Sequence, residues 1–495
     1  MSALQYNGCV SGNATDYDFL VIGSGSGLDV ANAAAQRGQA VAIVEKGRLG
    51  GTCLNRGCIP SKMLLYRAEV LETIERADEF EIDASVDGVA FSDIVREVNG
   101  DVQEDSESIQ QGLESSSDHD LYQAEGRFVG ERTIEVTGGE HDGERLYGDT
   151  VLVAAGTRPG IPPIDGIEDV DYVTSREALR LEEPPDHLVV IGGGYIAAEL
   201  GHFFGTFGSD VTIIGRRPHL LPDADEEIAT EFTDRLADRL DVYTGYEATA
   251  VSESNGDVTV EARPYPESGS QRYLEPESGE GAADRVTVTG DALLVATGRV
   301  PNTDTLDVNA AGIETDERGF VETDEYLRTT ADGVWALGDI VGEYLLKHNA
   351  NHEAETVARN LFGDEPQPVD YTAMPFAVFS SPVVAGVGAT EAELQAADRD
   401  YARRTYRYED TARGSAMKAE GVVKPLISPE GEILGCHIVG PEASNLIEEV
   451  VVAMTAGSGT VRDIRESVHI HPALSEVIQR AFSGQFTRGG HDHGH

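Results

Sequence analysis

Short apolar runs bounded by glycine recur along the chain, and two of them open the same arrangement. Residues 17–47, YDFLVIGSGSGLDVANAAAQRGQAVAIVEKG, set one run before a glycine-rich turn, an alanine-rich stretch and a second run. Uninterrupted apolar runs of this length predict strands buried on both faces, so the segment predicts strand, turn, helix and strand. Residues 187–221, HLVVIGGGYIAAELGHFFGTFGSDVTIIGRRPHLL, repeat the pattern. DTVLVAAGTRP (149–159) and DALLVATGRVPNTD (291–304) each predict a buried strand followed by a Gly- and Pro-containing crossing. They mark where the chain leaves one layered domain and returns to it. From about residue 368 the pattern changes to short strands and helices, FAVFSSPVVAGVG, ILGCHIVG and NLIEEVVVAMTAG, which predict a further domain. Beyond Pro60, the spacing of Met63, Tyr66, Arg67, Val70 and Ile74 predicts a helix with an apolar face edged by the arginine. The stretch 252–288 breaks its alternation with acidic, Gly-, Pro- and Ser-rich sequence and predicts a solvated hairpin loop.

The glycine turns carry the first chemistry. Gly23 and Gly25 let backbone approach a pyrophosphate, with Ser26 and Gly27 opening the helix whose amino end faces the phosphate charge. Glu45 falls about 20 residues on, where a carboxylate binds ribose hydroxyls. Leu28 stands at the third glycine of this fingerprint. In the repeat, Gly192, Gly194 and Ala197 fit, but the second strand ends in Gly215, Arg216 and Arg217. No carboxylate is there for a ribose hydroxyl, and paired guanidiniums suit a 2′-phosphate by charge and by their planar fork. The first site therefore predicts a dinucleotide with free ribose hydroxyls, and the second NADPH.

Composition narrows the partners. There are 37 basic and 88 acidic residues, a formal net charge of −51, and lysine occurs only at 46, 62, 347, 418 and 424. Such repulsion is tolerable where salt screens it within a few Å, which predicts a halophile's cytosol and excludes nucleic acid and anionic membranes as partners. No run approaches 18 apolar residues, and the start lacks the basic and apolar regions of a signal peptide, so a cytoplasmic location is expected. Of four cysteines, Cys9 lies in the leader and Cys436 in an apolar run where a buried, inert thiol is expected; Cys53 and Cys58 stand close together in GGTCLNRGCIPSK. On a regular helix these Cα atoms are about 7.5 Å apart, slightly beyond disulfide range, and Gly57 and Pro60 supply the irregularity that could close the gap. A zinc site lacks a second Cys/His pair with metal spacing, and a purely structural staple is unusual in a cytosol, which favours a redox-active disulfide.

With GGTCLNRGCIPSK, both dinucleotide patterns, ATGRVPNTD, ALGD and HIHPALSE, the chain resembles the flavin-dependent pyridine nucleotide–disulfide reductases over about residues 17–485. The resemblance implies an α/β chain with two Rossmann-like dinucleotide-binding domains and a C-terminal α+β dimerisation domain. Its expected division is a flexible leader (1–16), the FAD domain (17–156 and 298–367), the NADPH domain (157–297), the dimerisation domain (368–485) and a flexible tail (486–495). It implies one non-covalent FAD per subunit, touched by Gly23, Gly25, Ser26, Gly27, Glu45, Gly51, Thr52, Gly156, Asp339, Leu346 and His348. Gly192, Gly194, Tyr195, Ile196, Arg216, Arg217 and Gly298 would serve NADPH, with Tyr195 gating the nicotinamide. Cys53 would attack the substrate disulfide, Cys58 would lie against the flavin, and Lys62 and Glu199 would pair near its N5. His471, oriented by Glu476, would be the acid–base group, acting on the other subunit's disulfide in a homodimer; His469 is expected to be structural.

Within the family, VIGSGSGLDVANAAA, GYIAAE, EYLLKHNANHEAE and HPALSEV resemble the mycothione reductases, which act on a small cellular thiol. Ala33 stands where glutathione reductases carry an arginine for a glycine carboxylate of their substrate. Together with the inferred habitat this implies a small-molecule disulfide, bis-γ-glutamylcystine, as substrate. Dihydrolipoamide dehydrogenase is opposed by Arg216 and Arg217, and mercuric reductase by the lack of a cysteine after Cys436; a flavin-bearing scaffold would not need both cysteines and the His–Glu pair. No metal site is expected, the terminal HDHGH being taken as a frayed tail.

Overall fold

The computed structural model describes residues 14–265, 271–272 and 285–489. The leader with Cys9, most of the acidic insertion and the His-rich tail lie outside the described residues. The chain divides into two compact units: Met1–Ile59, Asp101–Arg158 and Arg299–Val369 form one, and Pro60–Gly100, Pro159–Gly298 and Asp370–His495 the other.

The first unit is built on a seven-stranded sheet. Its parallel part runs in the order 119–122, 41–44, 14–22, 145–153. The strand Arg145–Val153 is shared: its first half pairs with the antiparallel strand Thr133–Thr137, and its last residues pair with Val334–Ala336. Every residue of Val41–Val44 is buried, as are Phe19 to Ile22, which is why these segments read as continuous apolar runs rather than alternating ones.

The second unit holds a parallel sheet in the order 241–244, 210–215, 187–191, 292–295, with the short strand 271–272 antiparallel at its edge. A three-stranded antiparallel sheet (246–254, 257–264, 286–290) and a seven-stranded antiparallel sheet from residues 375–489 complete it. The two glycine turns are built alike. Gly23 donates to Val44 and Ala154 to Ile22; correspondingly Gly192 donates to Ile214 and Ala296 to Ile191, all at 2.8–2.9 Å. Both turns therefore stand at the carboxyl ends of parallel strands, where such sheets bind ligands.

The helix expected beyond Pro60 is present, and its two apolar sides differ in burial. The helix Cys58–Glu75 buries Leu64, Leu65, Ala68 and Leu71, whereas Tyr66 is 62% and Val70 46% exposed. The stripe through Met63, Tyr66, Val70 and Ile74 has helical spacing, but Leu64, Ala68 and Leu71 offer a second apolar series on another side. Periodicity cannot say which of two apolar faces turns inward. Cys436 is fully buried and its thiol is pushed up by that burial, the inert behaviour expected of it.

Candidate active site

The cysteine pair lies where two helices are broken apart. The helix Gly51–Arg56 stops at Gly57 (φ −142°, ψ −122°), and the helix Cys58–Glu75 begins at the next residue. A Cβ on Gly57 would stand 2.9 Å from the Thr52 carbonyl oxygen and 3.3 Å from the Cys53 Cα, so only glycine lets the chain fold back this tightly. Both residues are present as thiols, Cys53 half-buried and Cys58 exposed. A hydrogen bond to Cys58 raises the Cys53 pKa far above the usual thiol range and burial adds to it, while the Lys347 charge and the Ile59 amide act the other way. Cys53 thus keeps its proton. Cys58 opens an 18-residue helix, whose dipole favours negative charge at its amino end.

Around the pair stands the first glycine turn. The helix Gly27–Ala35 has no side-chain cap. Glu45 is fixed beside the turn: one oxygen accepts from the Ser24 amide (2.9 Å) and hydroxyl (2.7 Å), the other from the Gly47 amide (2.7 Å). Gly27 explains the departure at Leu28. A Cβ there would come within 2.8 Å of the Ala154 Cβ and 3.0 Å of Val21, so the close helix–strand packing of the usual third glycine is made one residue earlier. Leu28 packs, partly buried, against the apolar core. Gly51 lies against Gly25, which brings the cysteine helix onto the turn. Asp339 accepts from the Thr157 hydroxyl (2.8 Å) and faces Arg299 at 3.6 Å.

The helix Lys347–Phe362, which follows Leu346 and begins with Lys347 and His348, likewise has no side-chain cap and no acidic residue in its first turn. Its Lys347 lies within EYLLKHNANHEAE but was not among the expected site residues. The ammonium donates to Ser26 Oγ at 2.7 Å and also reaches Asn351. The scarcity of lysine was the one sequence signal that could have drawn attention to it. Two uncapped helix amino ends, a carboxylate beside the turn and this lysine make a set of groups that fits a dinucleotide with free ribose hydroxyls.

In the second unit the helix Tyr195–Thr206 follows Gly194, again without a side-chain cap, and Tyr195 is exposed at its start. Ile196 is half-buried behind it, and Gly298 accepts from the Gly160 amide at 2.9 Å. Arg216 and Arg217 are exposed just beyond the strand Asp210–Gly215 and form no ion pair with another described residue. Lys62, one turn after Cys58 on its helix, donates to both oxygens of buried Glu199 at 2.8 Å. Glu199 also accepts the Phe379 amide (2.9 Å), and the Lys62 ammonium stands 5.0 Å from the Phe379 ring centre.

His471, preceding Pro472, has Nδ1 at 3.1 and 3.0 Å from the two oxygens of Glu476. The hydrogen bond to His471 holds the Glu476 carboxyl below its ordinary range against the opposing effect of burial. The ring of His471 is 71% exposed, and its neighbours Val468 and Ile470 are 99% and 77% exposed. His469 is tied instead to Glu449 at 2.6 Å. Among the described residues no group of His, Cys, Asp and Glu could hold a metal ion, and no helix is long and apolar enough to cross a membrane.

Comparison with known proteins agrees with this chemistry. Mycothione reductase of Mycobacterium tuberculosis is 38% identical over 483 residues, covering 94% of this chain and 99% of the relative. Dihydrolipoyl dehydrogenase 3 of Haloarcula marismortui is also 38% identical, over 94% of this chain and 96% of the relative. The structure of the HOCl-induced flavoprotein disulfide reductase RclA from Escherichia coli, as a Cu(II) complex, aligns with a TM-score of 0.81 at 27% identity over 95% of this chain and 99% of that one. Residues 17–354 match the family described as pyridine nucleotide-disulphide oxidoreductase, and residues 374–482 match its dimerisation domain. The chain therefore belongs to the pyridine nucleotide–disulphide oxidoreductase family.

Proposed function

We propose that this enzyme is a cytoplasmic NADPH-dependent reductase of a low-molecular-weight disulfide, bis-γ-glutamylcystine, which it returns to γ-glutamylcysteine. As a flavoprotein disulfide oxidoreductase with a dimerisation domain it uses FAD and a pyridine nucleotide and works as a homodimer. The observation that carries the finer reading is the end of the strand Asp210–Gly215, where two exposed arginines replace the carboxylate that would bind a ribose hydroxyl. Ala33 and the mycothione reductase relative support a small thiol without glutathione's glycine.

FAD, when bound, supplies the hydride relay between the nicotinamide and the dithiol. The turn 23–27 with its uncapped helix would hold its pyrophosphate, Glu45 and Asp339 its hydroxyls, and Lys62, held by Glu199, would place an ammonium one turn along the dithiol helix. Because Cys53 retains its proton, it needs a base before it can attack. His471 of the partner subunit takes that proton, oriented by Glu476. The Cys53 thiolate then attacks one substrate sulfur, breaking the substrate S–S bond and forming a mixed disulfide. The leaving thiolate recovers the proton from the imidazolium. Cys58 then attacks the Cys53 sulfur, the second substrate thiolate leaves and takes up the proton that Cys58 gives up, and the Cys53–Cys58 disulfide closes. The exposed Val468 and Ile470 beside His471 suit a segment that a second subunit covers.

The equal identity to a dihydrolipoyl dehydrogenase favours lipoamide as the second reading. The test is kcat/KM in molar salt for bis-γ-glutamylcystine, glutathione disulfide, mycothione, lipoamide and Hg(II), with each nicotinamide cofactor. The first should be turned over best and with NADPH. Best turnover of lipoamide or Hg(II) rejects the small-thiol reading, and best turnover of glutathione disulfide rejects the Ala33 argument. Arg216→Glu should cost NADPH about ten-fold or more, the loss of a charge-assisted contact of about 1.5–3 kcal/mol. With a net charge of −51, the melting temperature should also rise steeply as KCl is raised from dilute buffer to molar concentration. A flat response would contradict adaptation to concentrated salt.

A further inference from the structure

We propose that Tyr265 is a positioning residue of the second nucleotide site, holding the Arg216 guanidinium for a 2′-phosphate; this rests on the reading of that site as one for NADPH. The Arg216 guanidinium carbon lies 5.8 Å from the centre of the Tyr265 ring, within cation–π range. Backbone bonds fix where that ring stands. The Tyr265 amide donates to the Gly245 carbonyl at 2.7 Å, and the Gly245 amide donates to the Arg217 carbonyl at 2.8 Å. Three strand ends, those of Asp210–Gly215, Asp241–Thr244 and Asp257–Pro264, are thereby tied in sequence, with Tyr265 at one end of the tie and Arg217, the residue after Arg216, at the other.

The choice of an aromatic neighbour has a chemical consequence. A carboxylate would occupy the N–H edge of the guanidinium, the edge that binds phosphate oxygens in a fork. A ring attracts the face and leaves that edge free. With 88 acidic residues against 37 basic ones, a carboxylate partner is the commoner fate of an arginine here. The contact also restricts a long, exposed side chain before the ligand arrives, which lowers the ordering cost of binding.

The test is calorimetric titration of the full-length, FAD-loaded enzyme with 2′,5′-ADP and with 5′-AMP at one fixed salt concentration. Tyr265→Ala should weaken 2′,5′-ADP about two- to five-fold, the equivalent of a cation–π contact at a partly exposed site, and Tyr265→Phe should not. The 5′-AMP affinity should hold. Arg216→Gln should weaken 2′,5′-ADP at least as much, and adding Tyr265→Ala to it should cost nothing more, because the two residues act as one unit. Equal weakening of both ligands by Tyr265→Ala, or full additivity with Arg216→Gln, overturns the assignment. Unchanged 2′,5′-ADP binding in Arg216→Gln alone overturns the NADPH reading itself, and this inference with it.

Discussion

Cys53→Ser should bind FAD as the wild type does and reduce no disulfide, with kcat lowered on the order of 10³-fold or more. The large effect follows from roles that cannot be shared. Cys53 forms the bond to substrate, and no other described cysteine lies near it except Cys58, which must resolve that bond. Cys58→Ser should fail differently. It still holds a nucleophile at 53, so one equivalent of substrate should be captured as a stable mixed disulfide, visible by mass spectrometry as a single adduct per subunit. Disulfide reduction by Cys53→Ser at wild-type rate, or no mixed-disulfide adduct in Cys58→Ser, would contradict this division of labour.

Much of this was legible in the chain because glycine turns and apolar runs are local devices. Strand Phe19–Ile22, the turn after it and Glu45 lie within 27 residues, and the hydrogen bonds between them follow from that short path. The same holds for His471 and Glu476, five residues apart. Positions set by packing between distant segments were not legible. Lys347 reaches Ser26 across 321 residues, and no periodicity reports that meeting. The helix Cys58–Glu75 carries apolar series on two sides, and only the packing of Leu64, Ala68 and Leu71 decided which was buried. Leu28 looked like a flaw in the fingerprint because the motif is written as positions. The physical requirement is one close helix–strand approach, and Gly27 meets it.

His471→Ala should lower kcat by about 10²- to 10⁴-fold, the usual contribution of a general acid–base group, while leaving flavin reduction by the nicotinamide nucleotide intact. The two half-reactions separate the role from a folding defect, since a misfolded variant would lose both. The loss should shrink as the pH rises, because hydroxide can then remove the Cys53 proton that the imidazole no longer takes, whereas the leaving thiolate needs progressively less help. Glu476→Gln should fall between His471→Ala and the wild type: the amide can still contact Nδ1 but supplies no charge to the imidazolium. Its carboxyl carries a second signature. In the folded protein its pKa is depressed, chiefly by the His471 hydrogen bond. Such a group stabilises the fold above its unfolded pKa of about 4.3, and that contribution is lost as pH falls through the lower folded value. The stability difference between wild type and Glu476→Gln, measured by urea unfolding, should therefore diminish as the pH falls below about 4.3. A difference that kept growing as the pH fell below about 4.3 would mean that the Glu476 carboxyl is not held ionised by His471, and the acid–base pair would lose its structural basis.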